Sequence, residues 1–356
     1  MPGSLANGGV PLLGNTRVYT RLARAEAEDR LHHCYLFEGP EGVGKRRVAL
    51  QFALALNCET FHPEGPGLFG GSPPVPTEPL DACGMCRSCR LILAGTHPDV
   101  LTIGPDPERA TPVITSDQAR EILAALQLQR HSARRRVVIV DPADVLTEEA
   151  GNTLLKTLEE PPPGTQFVLV TSRPASLLQT VRSRSQRVRF GPVSTADLSE
   201  WLAARGLDPG VALLASGSPG LALRLAEGER EIRAEVLDAL LGVVGQPLPR
   251  LFAFGEAASK RAEGGVERAE TTLQVFEELL RDAAMIGGRR SERILHPEHL
   301  PTLQRWSAAM WPGGLGRMER AVGVARDRLR LNVNGRVVIE ALVTTLNLEL
   351  SQARQG

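Results

Sequence analysis

Short apolar runs alternate with helical patterns along the chain from about Arg17 to Phe190. The runs are rich in β-branched residues, which favour strands of a parallel sheet that is covered on both faces. We therefore predict a doubly wound α/β fold for the first half of the chain. The predicted strands are Cys34 to Glu38, Val100 to Ile103, Val137 to Asp141, Gln166 to Thr171 and Arg187 to Phe190.

Beyond Phe190 the strand pattern stops, and apolar residues recur with the spacing of amphipathic helices. This spacing is shown by Phe276, Leu279, Leu280 and Ala283, and near the end of the chain by Ile339, Leu342 and Leu346. Breaks near Gly191-Pro192 and Gly228 interrupt the pattern. We predict an α/β domain over residues 1–191, a small helical domain over 192–233 and a larger helical domain over 234–356.

The composition restricts the classes of function. The chain carries 41 Lys and Arg residues and 41 Asp and Glu residues, so its formal net charge is zero. A protein that coats nucleic acid needs clustered positive charge, and any DNA contact is predicted to be secondary. Without an apolar run of about 18 residues or a basic, apolar leader, we expect a cytoplasmic protein with no membrane partner.

The Pro/Gly-rich residues 63–79 are predicted to form a flexible surface insertion.

A phosphate-binding loop is indicated between the first predicted strand and a helix that starts near Val48. The turn contains Gly39, Gly42 and Gly44 and is followed by Lys45. Glycines at this spacing let backbone N–H groups point at phosphate oxygens, and the helix N-terminus adds the positive end of its dipole. The alternative is an ordinary Gly-rich turn, which the flanking strand and helix argue against.

Two positions of this nucleotide-site pattern lack the residues that hydrolysis needs. The position after Lys45 normally holds a Ser or Thr that binds Mg²⁺, and here it is Arg46. Asp141 ends an apolar strand as a second Mg²⁺ ligand does, but Pro142 follows it in place of an acid that orients water. We predict that this chain does not hydrolyse ATP. Whether it binds ATP stays open.

Four cysteines have the spacing of a metal site. Cys83, Cys86 and Cys89 fall within seven residues, and Cys58, at the end of the helix after the turn, supplies a fourth sulfur. Four thiolates in a tetrahedral array are typical of structural zinc, which leaves no open position for catalysis. The alternative is unligated thiols in a surface loop. Cys34 begins an apolar strand and is interpreted as a small buried hydrophobe.

The segment from Asn152 to Pro162, Asn-Thr-Leu-Leu-Lys-Thr-Leu-Glu-Glu-Pro-Pro, resembles a stretch shared by bacterial clamp-loader subunits of the AAA+ family. These subunits also carry a four-cysteine zinc module after the P-loop helix. The resemblance implies an AAA+ α/β domain with a zinc module at about residues 58–89. It further implies that the small helical domain is a lid and that the C-terminal domain is an all-α collar for oligomerisation.

Two types of clamp-loader subunit share these features, and the chain resembles the delta-prime type. The ATP-hydrolysing gamma/tau motor has an intact Lys-Ser/Thr pair and an Asp-Glu pair. The corresponding pairs here, Lys45-Arg46 and Asp141-Pro142, match the degenerate delta-prime pattern.

Both types carry a Ser-Arg-Cys motif whose arginine reaches the ATP site of a neighbouring subunit. Residues 183–185 resemble this motif, with Ser185 in place of the cysteine. The resemblance implies that Arg184 is an arginine finger, because a planar and permanently charged guanidinium can meet the charge that develops on the γ-phosphate. The alternative is a solvated basic edge made by Arg182, Arg184, Arg187 and Arg189.

The function implied by the resemblance is that of a non-hydrolysing delta-prime subunit of the DNA polymerase III clamp loader. Expected partners are the gamma/tau and delta subunits in a hetero-pentamer, with the sliding clamp and primer-template DNA reached through the complex. The expected localisation is the cytoplasm, at the nucleoid. Two alternatives stay open: an ATP-hydrolysing gamma/tau-type motor, and a zinc-dependent DNA-binding protein with a vestigial nucleotide fold.

Overall fold

The computed structural model describes residues 13–62, 80–106, 112–130, 133–259, 268–331 and 333–352. The chain divides into two compact units, Met1–Ala222 and Leu223–Gly356. The predicted insertion at residues 63–79 lies outside the described residues. The finer division into three domains stays a prediction.

A parallel sheet of five strands forms the centre of the first unit, as the apolar runs predict. Its strands are β1 (Cys34–Glu38), β2 (Val100–Ile103), β3 (Arg136–Val140), β4 (Thr165–Thr171) and β5 (Gln186–Arg189). They lie in the order β2-β3-β4-β1-β5. The central strands β3, β4 and β1 are buried along their whole length. The predicted parallel α/β arrangement is therefore confirmed, and β3, β4 and β5 begin one residue earlier than predicted.

Helices cover both faces of this sheet. The helices that begin in the first unit are α1 (Thr16–Ala27), α2 (Lys45–Asn57), α3 (Arg87–Leu93), α4 (Ser116–Gln127), α5 (Glu148–Glu159), α6 (Gln179–Ser183), α7 (Thr195–Ala203), α8 (Val211–Leu214) and α9 (Pro219–Arg224). Tyr35 and Phe37 of β1 pack in one apolar cluster with Phe52 of α2, whereas Leu36 packs in a second cluster with Leu154 of α5. Alternate residues of one strand thus supply two core layers.

Local side-chain chemistry sets where α5 begins and ends. Thr147 accepts a hydrogen bond from a first-turn backbone N–H at 3.1 Å. Glu148 and Glu149 lie in the first turn, where they complement the positive end of the helix dipole. The helix ends at Glu159, just before Pro161, because the residue before a proline is biased away from helical conformation. The Glu159 side chain is therefore placed at a defined helix end.

The second unit is built from helices, which confirms the prediction from the spacing of apolar residues. They are α10 (Arg230–Val243), α11 (Leu248–Ser259), α12 (Arg268–Gly287), α13 (Leu300–Met310), α14 (Gly313–Arg330) and α15 (Gly335–Gln352). The predicted apolar faces of α12 and α15 lie in one core cluster, where Phe276 and Ile339 are fully buried. Among the residues that the structure describes, no strand follows β5. Nor does any helix in the described ranges have the length and apolar character to cross a membrane.

Buried charged side chains fasten the segment after α12 to that helix. Asp282, which is fully buried, accepts hydrogen bonds from the backbone N–H groups of Leu295 and His296, each at 2.9 Å. The His296 Nε2 atom lies 3.2 Å from Oε2 of Glu278, and the same carboxylate bonds Arg233. Each carboxylate of this group therefore has a positively charged or N–H partner inside the protein.

The surroundings of His296 predict that the stability of the chain depends on pH. Burial lowers the pKa of His296, but the hydrogen bond with Glu278 and the charges of Asp282 and Glu298 raise it above its ordinary value. A group whose pKa is raised by folding stabilises the protein below its unfolded pKa of about 6.5, and that contribution is lost as the pH rises through the folded pKa. We expect His296→Gln to reduce the free energy of unfolding in urea more at about pH 6 than at about pH 9.

The matched control is His299→Gln, because that imidazole is partly exposed and makes neither of the bonds to Glu278 and Asp282. A loss of stability in His296→Gln that is equal at the two pH values, or larger at the higher one, would contradict a charged His296 in the folded chain.

Candidate functional site

The candidate site lies at the carboxyl edge of the sheet, where the chain leaves β1. Residues 39–44 form a turn between β1 and α2, and α2 begins at Lys45 rather than near Val48 as predicted. The backbone N–H groups in the first turn of α2, which have no acceptor within the helix, therefore lie next to the turn. The strand, turn and helix of a P-loop are present in the predicted order.

The three glycines of the turn are each required by its shape. Gly42 and Gly44 have φ angles of 73° and 96°, which glycine adopts at far lower cost than other residues. A Cβ atom on Gly42 would lie 2.1 Å from Oγ of Ser218. A Cβ atom on Gly39 would lie 2.3 Å from the carbonyl oxygen of Phe190, just after β5. Larger side chains at these two positions would collide with neighbouring segments.

Lys45 lies inside the turn rather than in solvent. Its Nζ atom donates to the backbone oxygen of Gly39 at 2.8 Å and to that of Pro40 at 2.6 Å, and the residue is only 6% exposed. Burial lowers the pKa of Lys45, and nearby carboxylates, Glu41 first among them, oppose that effect. The ammonium group is therefore bound by the carbonyl groups of its own turn.

The Asp141 carboxylate, one residue beyond β3, is paired with Arg46. Arg46 Nε lies 3.5 Å from Oδ2 of Asp141, and the arginine side chain is 76% exposed. Burial raises the pKa of Asp141 above its ordinary value, although the positive charges of Arg46 and Lys45 oppose the shift. The carboxylate at the predicted Mg²⁺ position is thus compensated by cations of the chain itself.

A second carboxylate at this edge, that of Asp144, is engaged by the end of β4. It accepts hydrogen bonds from Thr171 Oγ1 at 2.7 Å, from Ser172 N at 3.3 Å and from Arg173 Nη2 at 3.0 Å. Sequence reasoning did not pair Arg173 with Asp144, because no spacing in the chain links the two residues. The adjacency of β3 and β4 is the signal that could have found it, since polar residues just beyond neighbouring parallel strands share one edge.

The residues that start α9 pack on the outside of the turn. The Gly220 N–H donates to the Gly42 carbonyl at 3.0 Å, and a Cβ atom on Gly220 would lie 3.3 Å from the Gly42 Cα atom. The Leu221 N–H donates to Oγ of Ser218 at 3.1 Å, which orients that hydroxyl beside Gly42. The turn is therefore covered by polypeptide on this side.

The four predicted metal ligands come together between the end of α2 and the start of α3. The sulfur atoms of all four lie within 4.8 Å of one another: Cys58, Cys83, Cys86 and Cys89. Tetrahedral zinc–thiolate bonds of about 2.3 Å place neighbouring sulfurs about 3.8 Å apart, so this donor set fits a zinc ion. Beside the cluster, Oε1 of Glu59 accepts hydrogen bonds from N and Oγ of Ser88, at 2.9 and 2.7 Å. These bonds join the segment that carries Cys58 to the segment that carries Cys89.

Hydrogen bonds within the cysteine cluster favour the ionised form of Cys58, whereas the same Cys58–Cys89 hydrogen bond raises the pKa of Cys89. The backbone N–H groups of Cys83 and Cys86 donate to the sulfur atoms of Cys58 and Cys83, each at 3.2 Å. A hydrogen bond with the Cys89 sulfur lowers the pKa of Cys58 to about 4. Because thiolates rather than thiols bind metals, the cluster has the chemistry of a metal site. The presence of zinc stays a prediction.

Arg184 lies at the C-terminal end of α6, and its guanidinium is held against its own chain. The Nε and Nη2 atoms contact Oε1 of Glu159 at the end of α5. The Nη1 atom donates to the backbone oxygen of Thr180 at 3.0 Å and lies 3.4 Å from Oγ of Ser183. The side chain is 35% exposed, so a neighbouring molecule can reach it.

Other residues of the predicted basic edge have different partners. Arg187 Nε and Arg189 Nε donate to the two carboxylate oxygens of Glu38, at 2.8 and 3.0 Å. Ser185, at the cysteine position of the motif, donates to a backbone oxygen of α6 at 2.8 Å and lies 3.2 Å from the sulfur of buried Cys34. The edge is therefore a set of separate ion pairs rather than a uniform basic surface.

Comparison with known proteins gives the family. A family model described as "DNA polymerase III, delta subunit" matches residues 14–194. The Pseudomonas aeruginosa protein named DNA polymerase III subunit delta' is 36% identical over 242 residues, which are 62% of this chain and 68% of that protein. The chain belongs to the DNA polymerase III delta-prime family. The predicted resemblance to delta-prime clamp-loader subunits is confirmed.

Two further relatives place this delta-prime chain among related subunits. The Bacillus subtilis subunit delta' is 28% identical over 335 residues, 93% of this chain and 95% of that protein. The Escherichia coli subunit tau is 30% identical over 287 residues, which cover 76% of this chain but 41% of tau. The similarity to the Bacillus subtilis delta' thus extends over almost the whole of both chains, whereas tau is matched over less than half of its length.

Replacing Gly42 by alanine is expected to lower the free energy of unfolding of this delta-prime chain by about 2–3 kcal/mol. The new Cβ atom adds left-handed backbone strain and collides with Oγ of Ser218. The matched control is Gly44→Ala, because Gly44 also has a positive φ but a Cβ atom there meets nothing within 4 Å. Strain alone is expected to cost about 1 kcal/mol. If urea unfolding gave the same loss of unfolding free energy for both variants, the contact between Gly42 and the start of α9 would not constrain the turn.

Proposed function

We propose that this chain works as a non-hydrolysing delta-prime subunit, which donates Arg184 to the ATP site of a neighbouring subunit while a sliding clamp is loaded for DNA replication. The observation that carries the proposal is the pairing of Asp141 with Arg46 at 3.5 Å. In P-loop enzymes the corresponding aspartate helps to hold the Mg²⁺ that assists phosphoryl transfer. Here a guanidinium faces that carboxylate, and no Ser or Thr follows Lys45 to bind the metal.

The contacts of Lys45 support the same proposal. A P-loop lysine acts by reaching the β- and γ-phosphates of the nucleotide. The Lys45 ammonium is bound to the oxygens of Gly39 and Pro40 and would have to leave them to meet a phosphate. Pro142 also lacks the carboxylate that orients an attacking water. The turn therefore keeps the shape of a P-loop without the groups for hydrolysis, and the proposed role does not require this chain to bind ATP.

Arg184 has the properties that an arginine donor needs. Its guanidinium is permanently charged and presents N–H donors in a fixed planar fork, which suits the charge that develops on a transferred phosphoryl group. The side chain is 35% exposed, whereas Val181 in the short helix that precedes it is buried. The charged end is thus accessible while its backbone is held by the core.

The proposed assembly is a hetero-pentamer with gamma/tau and delta subunits, through which the chain reaches the sliding clamp and primer-template DNA. Within it, residues 1–191 would be the AAA+ domain, 192–233 the lid and 234–356 the collar that packs with its counterparts. The zero net charge fits a subunit whose DNA contact is secondary. The 30% identity to the Escherichia coli subunit tau fits an assembly of related chains.

The cysteine cluster is proposed to hold a structural zinc ion. Four sulfur donors would complete a tetrahedral coordination sphere and leave no position for a substrate. The hydrogen bonds from Ser88 to Glu59 would help to hold the ligands in place, because they join the residue after Cys58 to the residue before Cys89. The ion would stabilise the module between α2 and β2 rather than take part in chemistry.

Arg184→Ala is expected to lower ATP hydrolysis at the adjacent motor subunit's site by about 10³-fold, because the charge on the transferred phosphoryl group then lacks its in-trans partner. The measurement is the steady-state ATPase rate of a clamp loader reconstituted with gamma/tau and delta subunits, the sliding clamp and primed DNA. The complex should lose at least the turnover of that one site. The isolated chain is expected to show no Mg²⁺-dependent turnover.

The matched control is Arg182→Ala, which removes the same charge from α6, two residues before Arg184. Size-exclusion chromatography of each complex separates loss of hydrolysis from loss of assembly. An unimpaired Arg184→Ala complex would refute the donor role, and Mg²⁺-dependent hydrolysis by the isolated chain would favour a gamma/tau-type motor instead.

Metal analysis of the purified chain is expected to give about one zinc per molecule. Cys89→Ala should lose the metal and reduce the free energy of unfolding by about 4 kcal/mol or more, because metal binding is coupled to folding. Cys34→Ala is the matched control, since Cys34 is buried but lies outside the cluster. It should keep the zinc. A stoichiometric metal content in Cys89→Ala, or a metal-free wild-type chain that is insensitive to chelators, would contradict the zinc site.

A further inference from the structure

An ion pair joins Arg184 to Glu159, and the two residues belong to separate motifs of the clamp-loader resemblance. Glu159 belongs to the Leu-Glu-Glu-Pro-Pro stretch at the end of α5, and Arg184 belongs to the motif at the end of α6. Oε1 of Glu159 contacts both Nε and Nη2 of the guanidinium. We infer that Glu159 is a positioning residue, which holds the Arg184 guanidinium ready for the neighbouring subunit's phosphate. This inference rests on the proposed donor function.

The geometry of the guanidinium leaves a donor for that phosphate. An arginine side chain has five N–H donors in one plane. Glu159 contacts Nε and Nη2, and Nη1 faces Oγ of Ser183 and the backbone oxygen of Thr180. The second hydrogen of Nη2 is not needed for any of these contacts. The carboxylate therefore restricts the rotation of the guanidinium while an N–H group stays available for an anionic oxygen.

The backbone beneath both side chains is anchored in one core. Leu158, next to Glu159, and Val181, in the turn before Arg184, are 1% and 2% exposed and belong to the same apolar cluster. Both charged residues thus extend from positions whose neighbours cannot shift independently. A side chain held in this way loses less conformational entropy when it meets its target, and that is the gain that preorganisation supplies.

The C-terminal end of α6 adds to the attraction for the guanidinium. Glu159 is the last residue of α5, and Arg184 directly follows the last residue of α6. The carbonyl groups at a helix C-terminus carry partial negative charge and favour a cation. The Thr180 carbonyl, which belongs to α6, makes this contact directly at 3.0 Å. The carboxylate and the helix end therefore hold different parts of the same guanidinium.

The exposure of the pair limits the size of the effect. The side chains of Arg184 and Glu159 are 35% and 45% exposed, so water and salt screen their attraction. We expect Glu159→Gln to lower the Arg184-dependent ATPase activity about two- to fivefold. This activity is defined as the turnover of the reconstituted complex minus that of the same complex with Arg184→Ala. The loss should appear in kcat with KM for ATP unchanged, because the arginine acts on charge that develops in the transition state.

The matched control is Glu160→Gln, which removes the same charge from the next, exposed residue that is not part of the ion pair. It should leave the activity unchanged. A double variant, Glu159→Gln with Arg184→Ala, should be no slower than Arg184→Ala alone, since a positioning residue acts only through the group it positions. Assembly by size-exclusion chromatography and thermal unfolding of the free chain serve to detect a merely structural effect.

The outcomes separate this inference from the proposed function. Both the positioning role and the donor role are supported by three results together. ATPase activity falls strongly in Arg184→Ala, kcat falls less in Glu159→Gln, and the double variant loses no further activity. A large loss in Arg184→Ala with Glu159→Gln equal to or faster than wild type overturns the positioning role and leaves the donor role standing. A further loss in the double variant also overturns it, because Glu159 would then act independently of Arg184. No loss in Arg184→Ala refutes the donor role, and the inference falls with it.

Discussion

The burial of the central parallel strands is the constraint on which the rest of the structure depends. Every residue of β1, β3 and β4 is buried, so the charged groups of the candidate site lie where the strands end. Parallel strands end at one edge, and this edge collects Lys45, Asp141 and Asp144 from distant parts of the chain. Burial lowers the pKa of Lys45, and the charges of Glu41 and of both aspartates oppose that effect.

At that edge the chain satisfies its carboxylates with its own cations and hydrogen-bond donors. Asp141 is paired with Arg46, and Asp144 is bound by Thr171 and Arg173. A guanidinium compensates charge as a metal ion does, but it offers no coordination position for a phosphate or a water. The carboxylates at this edge therefore have cationic partners from the chain itself, which agrees with the proposed non-hydrolysing role.

The proposed work of the chain lies instead at the ends of α5 and α6. A charged group that must meet another molecule has to be exposed, and an exposed side chain is ordinarily free to rotate. At Arg184, the contact with Glu159 restricts the rotation of the exposed side chain, and the burial of Leu158 and Val181 fixes the backbone beneath it. In the cysteine cluster, three buried cysteines and the partly buried Cys86 bring two chain segments together.

The sequence by itself determined the elements and the kinds of residue at the site. Five apolar runs predicted the five strands to within one residue, and helical spacing predicted the buried faces of α12 and α15, because these patterns are local consequences of burial. Spacing also selected the glycines, Lys45 and the four cysteines. Only the tertiary structure decided the pairs Arg46 with Asp141, Arg173 with Asp144, and Glu159 with Arg184. These partners are far apart in the chain, and it is the order of strands in the sheet and the packing of helices on the shared core that bring them into contact.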